Sequence, residues 1–383
     1  MKILLIGEYS RLHNSLKEGL TAIGHDVTLI ADGDGFKNYP VDIKIKNRYK
    51  KSFGKFIKRL VYKLFKIDLN SLAIRQQFET NKHHLVGYDI VQLINENAFK
   101  TVPSVEKRLL EFIFQNNKSV FLLSCGCDFP SVQYAFDKKF KYSVLTPFFE
   151  NKVSKKAFFP VLKYMEESYV NLHTYIYKNI EGVIASDMDY HLPLEHHAQY
   201  LGFIPNPVNT EKIVKIDNPI DDKIVIFHGI NTDNYYKKGN DIFEEALDII
   251  SKNYTNKVNI ITTRNIPYSD YLNHYKKAHI LLDMVYAYDQ GYNALEAMAA
   301  GKVVFTGAEQ EWLEYYNLKK NTVVINAEPE IQSLVEQLEW LINNPEQIGI
   351  ISKNARRFIE DKHNYINIAH EYVNLWTQRI SKN

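Results

Sequence analysis

The chain sets short apolar or β-branched runs between helical stretches, and it does so twice. In the first half the runs are KILLIG, DVTLIA, DIVQLIN, SVFLLS and GVIAS; in the second they are IVIF, VNIITT, HILLDMV, VVFT and TVVIN. Runs this short and this continuously apolar suit strands buried on both faces, the condition of a parallel sheet covered by helices. At 383 residues the chain exceeds what one hydrophobic core supports, so two such α/β units are expected. Between them lies Ile204-Pro205-Asn206-Pro207-Val208-Asn209, whose two prolines exclude helix and stiffen a connection. The expected domains are residues 1–205 and 206–383. Over Asp241–Ser251 of the second, Ile242, Phe243, Ala246, Leu247, Ile249 and Ile250 recur at helical spacing and form one apolar face.

Ligands of parallel sheets sit beyond the carboxyl ends of the strands. In the first half those ends are Gly7 to Arg11, Asn95 to Asn97, Cys125 to Asp128 and Ser186 to Asp189. In the second half the stretch DQGYNALEAMAAGKVVFTG, Asp289 to Gly307, reads as a loop, an Ala-rich helix and a buried strand. Gly291 lets a ligand approach the backbone, and the free N–H groups of Tyr292 and Asn293 open the helix, a place that attracts phosphate. Glu296, one turn inside, interrupts an apolar LEAMA run. An unpaired carboxylate is costly there, and a ribose diol would satisfy it. A first-turn glutamate favoured by the helix dipole is the plainer alternative.

These residues carry a resemblance. The stretch resembles the donor-site signature of GT-B glycosyltransferases of the retaining family 4 type, through Gly291, Leu295, Glu296, Ala297, Met298, Ala299 and Gly301. The pattern's first acid, which in the family contacts the hexose, is replaced by Tyr288, with Asp289 one step on. The resemblance implies two Rossmann-like domains facing across a cleft, with the last helix crossing back to the first domain. It also implies transfer of a sugar from a UDP- or GDP-linked donor to a hydroxyl, with retention and without a metal. In IVIFHGINTDNYYKKG the family carries Gly-Arg after the strand and Lys-Gly before the helix, and this Arg and Lys hold the departing diphosphate. Lys238-Gly239 matches, while His228 and Gly229 stand at the strand end and Lys237 or Arg264 could lend the second charge. Cations preorganised in a dry cleft stabilise that developing charge.

The acceptor side gives fewer signals. Glu8 and Arg11 follow the first strand, where Arg11 could meet a phosphate. Asp128, in SCGCDFP, would either orient the acceptor hydroxyl or cap the helix opening at Phe129 and Pro130. The triplets Asp32-Gly33-Asp34 and Asp187-Met188-Asp189 resemble metal-binding pairs of other transferases. Both lie in the first half, away from the nucleotide signature, so no metal is expected. No organic cofactor and no nucleic-acid partner is expected either. GEYSRL and HGINTD stand where an NAD-binding fold would carry Gly-x-Gly-x-x-Gly.

Charge is uneven along the chain. Lys and Arg outnumber Asp and Glu by 28 to 21 over residues 1–205 and trail them by 19 to 24 thereafter. The excess concentrates between Lys44 and Lys66, with ten basic residues and no acid, among which Phe53, Phe56, Ile57, Leu60, Val61, Leu64 and Phe65 recur at helical spacing. Residues 44–66 form either a membrane-surface helix or one packed on its own sheet. With two cysteines and no apolar run near eighteen residues, a cytoplasmic protein is expected, working at the inner face of a membrane on a lipid-linked or polysaccharide acceptor. The rival from another class is a non-catalytic protein that binds sugar nucleotides.

Overall fold

The computed structural model describes residues 1–35, 37–46, 48–49, 52–65 and 67–382. Seven parallel strands build the first sheet: β1 (Lys2–Ile6), β2 (Asp26–Ala31), β3 (Ile43–Lys44), β4 (Ile90–Leu93), β5 (Ser119–Ser124), β6 (Gly182–Ala185) and β7 (Tyr200–Phe203), in spatial order β3-β2-β1-β4-β5-β6-β7. Five build the second: β8 (Ile224–Ile230), β9 (Val258–Arg264), β10 (Ile280–Leu282), β11 (Val303–Thr306) and β12 (Ile325–Asn326), in order β12-β11-β10-β8-β9. All pairings are parallel, as continuous apolar runs covered by helices require. The strand order turns back between β1 and β4 in one sheet and between β8 and β10 in the other. Those switch points open a crevice at the strand ends, which is where parallel sheets bind ligands.

Each sheet has its own core. The helix Tyr365–Ile380, last in sequence, belongs to the first: Ile368, Ala369, Tyr372 and Trp376 are buried in that domain's cluster, and the Trp376 indole donates to Gln92 at 3.1 Å. Tyr142 and Met188 of the first half are in turn buried in the second domain's cluster. The helix Asn240–Asn253 buries Ile242, Phe243, Ala246, Leu247 and Ile250; Ile249, expected on the same face, is 37% exposed. It stands at the edge of that stripe, beside Ile242.

Residues 44–66 contribute the helix Ser52–Phe65; Asn47, Lys50, Lys51 and Lys66 lie outside the described residues. Phe56, Leu64 and Phe65 are 62%, 63% and 65% exposed, and Leu60 and Tyr62 are exposed as well. These side chains are not covered by the sheet, so the packed alternative does not account for them. No helix among the described residues is long and apolar enough to cross a membrane.

Candidate active site

The second sheet's switch point faces a cleft of about 260 Å³ against the first domain. Its first-domain wall comes from the loops after β5 and β6, including Gly126, Ser131 and Asp187. Its second-domain wall carries Lys237, Lys238, Asp289 and Gly291.

On the second-domain wall the Lys238 ammonium lies 2.8 Å from Asp283, a buried carboxylate one residue past β10. The same oxygen of Asp283 accepts the Asn293 amide at 2.8 Å, and its partner oxygen faces the Thr306 hydroxyl. Asn293 in turn accepts the Tyr271 hydroxyl at 2.9 Å. Lys238 is thus fixed to the opening of the helix Tyr292–Ala299 by a carboxylate that the sequence reading had absorbed into a strand. The available signal was the one that marked Glu296, a lone acid in an apolar run.

That helix starts at Gly291, where a Cβ would meet no protein atom. The first helical amide to find a backbone acceptor is that of Leu295, bonded to Gly291, so the opening amides remain for a ligand. The Glu296 carboxylate, half-buried, makes no hydrogen bond or ion pair among the described residues. Burial raises its pKa, against which the charges of Arg11 and Lys37 act from the other domain. Tyr292 contributes its backbone here, but its ring is buried in the first domain's core and its hydroxyl donates to Pro207 at 2.6 Å.

His228 is fully buried behind this wall. The Asn240 amide nitrogen donates to Tyr235, which leaves the Asn240 oxygen to accept from His228 Nε2 at 2.8 Å; Nδ1 is left without a partner. Burial lowers its pKa, which favours the neutral ring, while the Asn240 bond acts the other way. Gly229 is pressed against Tyr271, which an added Cβ would meet at 2.6 Å. Arg264 is ion-paired with Glu244, stands over the Tyr235 ring and is not among the residues lining the cleft.

In the first domain Asp128 is fully buried and caps the helix Phe129–Phe136. Oδ1 accepts from Ser131, backbone and hydroxyl, and Oδ2 from the Ser124 hydroxyl. Of the two roles open to it, the geometry gives the cap. Glu8 is also fully buried, with Oε2 bound to Asn14 and Oε1 unpartnered, and burial pushes its pKa up to about 7. Arg11 pairs with Glu18 at 3.2 Å. Ser10 and Arg11 both hold positive φ, 51° and 80°, a conformation that costs non-glycine residues free energy and clusters at ligand-binding turns.

One sequence expectation is corrected. The Asp187-Met188-Asp189 triplet is not remote from the nucleotide signature: Asp189 accepts the Tyr288 amide at 3.1 Å, and Asp289 accepts the Met188 amide at 3.2 Å. Tyr288 itself is an interdomain anchor, its hydroxyl accepting the Lys141 amide at 2.7 Å while Phe140 and Tyr142 pack on its ring. Alongside it Tyr142 donates to Glu309. Among the described residues no group of three or more His, Cys, Asp or Glu side chains is arranged to hold a metal ion.

Residues 237–374, from Lys237 on the cleft wall to the last helix, match the family described as glycosyl transferase-like. Solved structures align over the whole chain. The sucrose-phosphate synthase of Thermosynechococcus elongatus is 13% identical with a TM-score of 0.61, all of each chain being covered. Anabaena HepE in complex with UDP and glucose is 14% identical with a TM-score of 0.58, covering 99% of this chain and all of that one. The fold is GT-B. A third GT-B likeness, at 12% identity and a TM-score of 0.52, is to a putative UDP-N-acetylglucosamine 2-epimerase from Listeria monocytogenes, with 97% of this chain and 94% of that one covered. By sequence, the chain matches none of the curated proteins. In this GT-B fold the Gly291–Gly301 stretch sits at a switch point, facing a second Rossmann-like domain.

Proposed function

We propose that the protein transfers a sugar from a nucleoside diphosphate donor to a hydroxyl acceptor, with retention of configuration and without a metal. The observation that carries this reading is the Lys238 wall. A cation fixed by Asp283 and a helix opening with unpaired amides flank the same cleft, and an unpartnered Glu296 follows one turn later. The amides and Lys238 take the diphosphate, where they stabilise the charge that develops as the glycosidic bond breaks. Glu296 takes the ribose diol. Calorimetric titration with UDP, GDP and their sugars, paired with product analysis, tests the reading. Glu296→Ala should weaken nucleotide binding about tenfold or more, the worth of a hydrogen bond to a charged group; unchanged affinity would sink it.

The acceptor we infer is lipid-linked or polysaccharide, met at the cytoplasmic face of a membrane. The exposed Phe56, Leu60, Leu64 and Phe65, interspersed with Arg59 and Lys63, have the chemistry to lie in an anionic lipid surface. A second reading, binding without transfer, draws on one observation: no arginine follows β8, and Arg264 is spoken for by Glu244. Nucleotide-sugar binding without donor hydrolysis or transfer would favour it.

A further inference from the structure

Three carboxylates meet where the domains touch, and they are not equivalent. Asp189 and Asp289 each accept a backbone N–H from the opposite domain, that of Tyr288 and that of Met188. Asp187 does neither. It occupies the N-cap of the helix Met188–Leu194, where an aspartate ordinarily accepts a bond from the second or third helical amide, yet it makes no cap hydrogen bond. Its Oδ1 is buried with no partner, and the residue lines the cleft whose opposite wall is Lys238 and Gly291. The other oxygen is not orphaned, since the Asp189 amide acts on this carboxyl, but an oxygen buried without a donor is disfavoured, and a ligand hydroxyl reaching it from the cleft would supply one. Burial, then the charges of Asp189 and Asp289, push its proton affinity upward, with Asp128 adding in the same direction.

The cleft is electrically two-ended. Lys237 and Lys238 belong to the second-domain wall and Asp187 and Asp189 to the first, with Asp289 of the second domain reaching across to the Met188 amide. A diphosphate belongs with the lysines; a neutral polyhydroxyl group beside it fits the aspartate side, because hydroxyls supply donors to the unpaired oxygen without adding negative charge. We infer that Asp187 is a sugar-recognition residue, holding a hydroxyl of the sugar to be transferred from the first-domain side of the cleft. This rests on the transferase reading above and adds to it the residue that separates a sugar nucleotide from a bare nucleotide.

The test is calorimetric titration of the full chain with two pairs of ligands, UDP against UDP-glucose and GDP against GDP-mannose. For wild type the sugar nucleotide of the cognate pair should bind more tightly than its diphosphate. Asp187→Ala should remove about tenfold or more of that difference while leaving the diphosphate affinity alone, and Asp187→Asn, which keeps an acceptor oxygen, should retain part of it. An unfolding midpoint at or above that of wild type will show that the variants fold, since a carboxylate with a buried, unpartnered oxygen has been taken away. The inference is overturned if both ligands of the pair weaken equally, if neither weakens, or if the effect appears only with added Mn²⁺, which would make Asp187 a cation ligand. A wild type that binds none of the four ligands overturns the transferase site itself, and with it this assignment.

Discussion

Lys238 and Asp283 divide a task that neither performs alone. The lysine is 32% exposed and carries the charge; the aspartate, at 3%, fixes where that charge stands. Lys238→Ala should therefore lower kcat by about 10²- to 10³-fold in a transfer assay, as loss of a preorganised group at a developing anion does. Asp283→Asn retains the shape of the side chain and the lysine's charge but weakens its anchor. We expect a smaller loss of kcat than for Lys238→Ala, with nucleotide affinity measured in parallel to separate positioning from binding. Gly239, next to the lysine, has φ +70°, and a Cβ there would approach Val285 to 2.7 Å. Since Val285 donates its amide to the Lys238 carbonyl, Gly239→Ala should disturb the lysine itself. A stability loss of about 1 kcal/mol or more in chemical denaturation, together with reduced kcat, is the expected outcome.

Among the elements, the helix Ser52–Phe65 invites the most direct test. Its Phe56, Leu60, Leu64 and Phe65 side chains are exposed, and among its basic residues Lys58 is tied to Asp68 at 3.2 Å. Flotation with vesicles containing anionic lipid should recover the wild type. Changing Arg59 and Lys63 to Glu, or Phe56, Leu64 and Phe65 to Ser, should leave the protein at the bottom of the gradient; recovery equal to wild type would remove the membrane contact. Most elements were legible in the sequence because apolar runs and Gly or Pro punctuation are local signals. The helix Tyr292–Ala299 opens after Gly291 as its residues indicate. What escaped was either very short or not local. The two-residue β3 is too short to carry an apolar run, and β7, Tyr200–Phe203, is half-exposed, short and interrupted by Gly202. HILLDMV contributes three residues of strand, and its aspartate anchors Lys238. The partners of Tyr288 and Asp189 lie 147 and 99 residues away in sequence, so no spacing rule could join them. Asp128 and His228 stand at strand ends as expected, but both are fully buried and bound to other partners, which spacing does not encode, and neither lines the cleft.

At the scale of the whole molecule the domains are joined by polar contacts that titrate. Burial pushes Asp189 and Asp289 up to about 7, from about 4 in an unfolded chain. The folded protein therefore binds more protons between those values, and stability from this interface is complete below pH 4 and declines as pH rises through 7. Asp189→Asn combined with Asp289→Asn cannot titrate. Its unfolding midpoint relative to wild type should rise from pH 5 to pH 8, and a constant difference would mean that the two carboxylates are not protonated together with folding. The helix Tyr365–Ile380 has a consequence of another kind. Trp376 fills the core of a sheet whose first strand begins at Lys2, so during synthesis the first domain waits, unfinished, until Tyr365–Ile380 has left the ribosome. Stalled or prematurely terminated products would then expose the pit that this indole plugs, which makes them natural clients for chaperones and proteases.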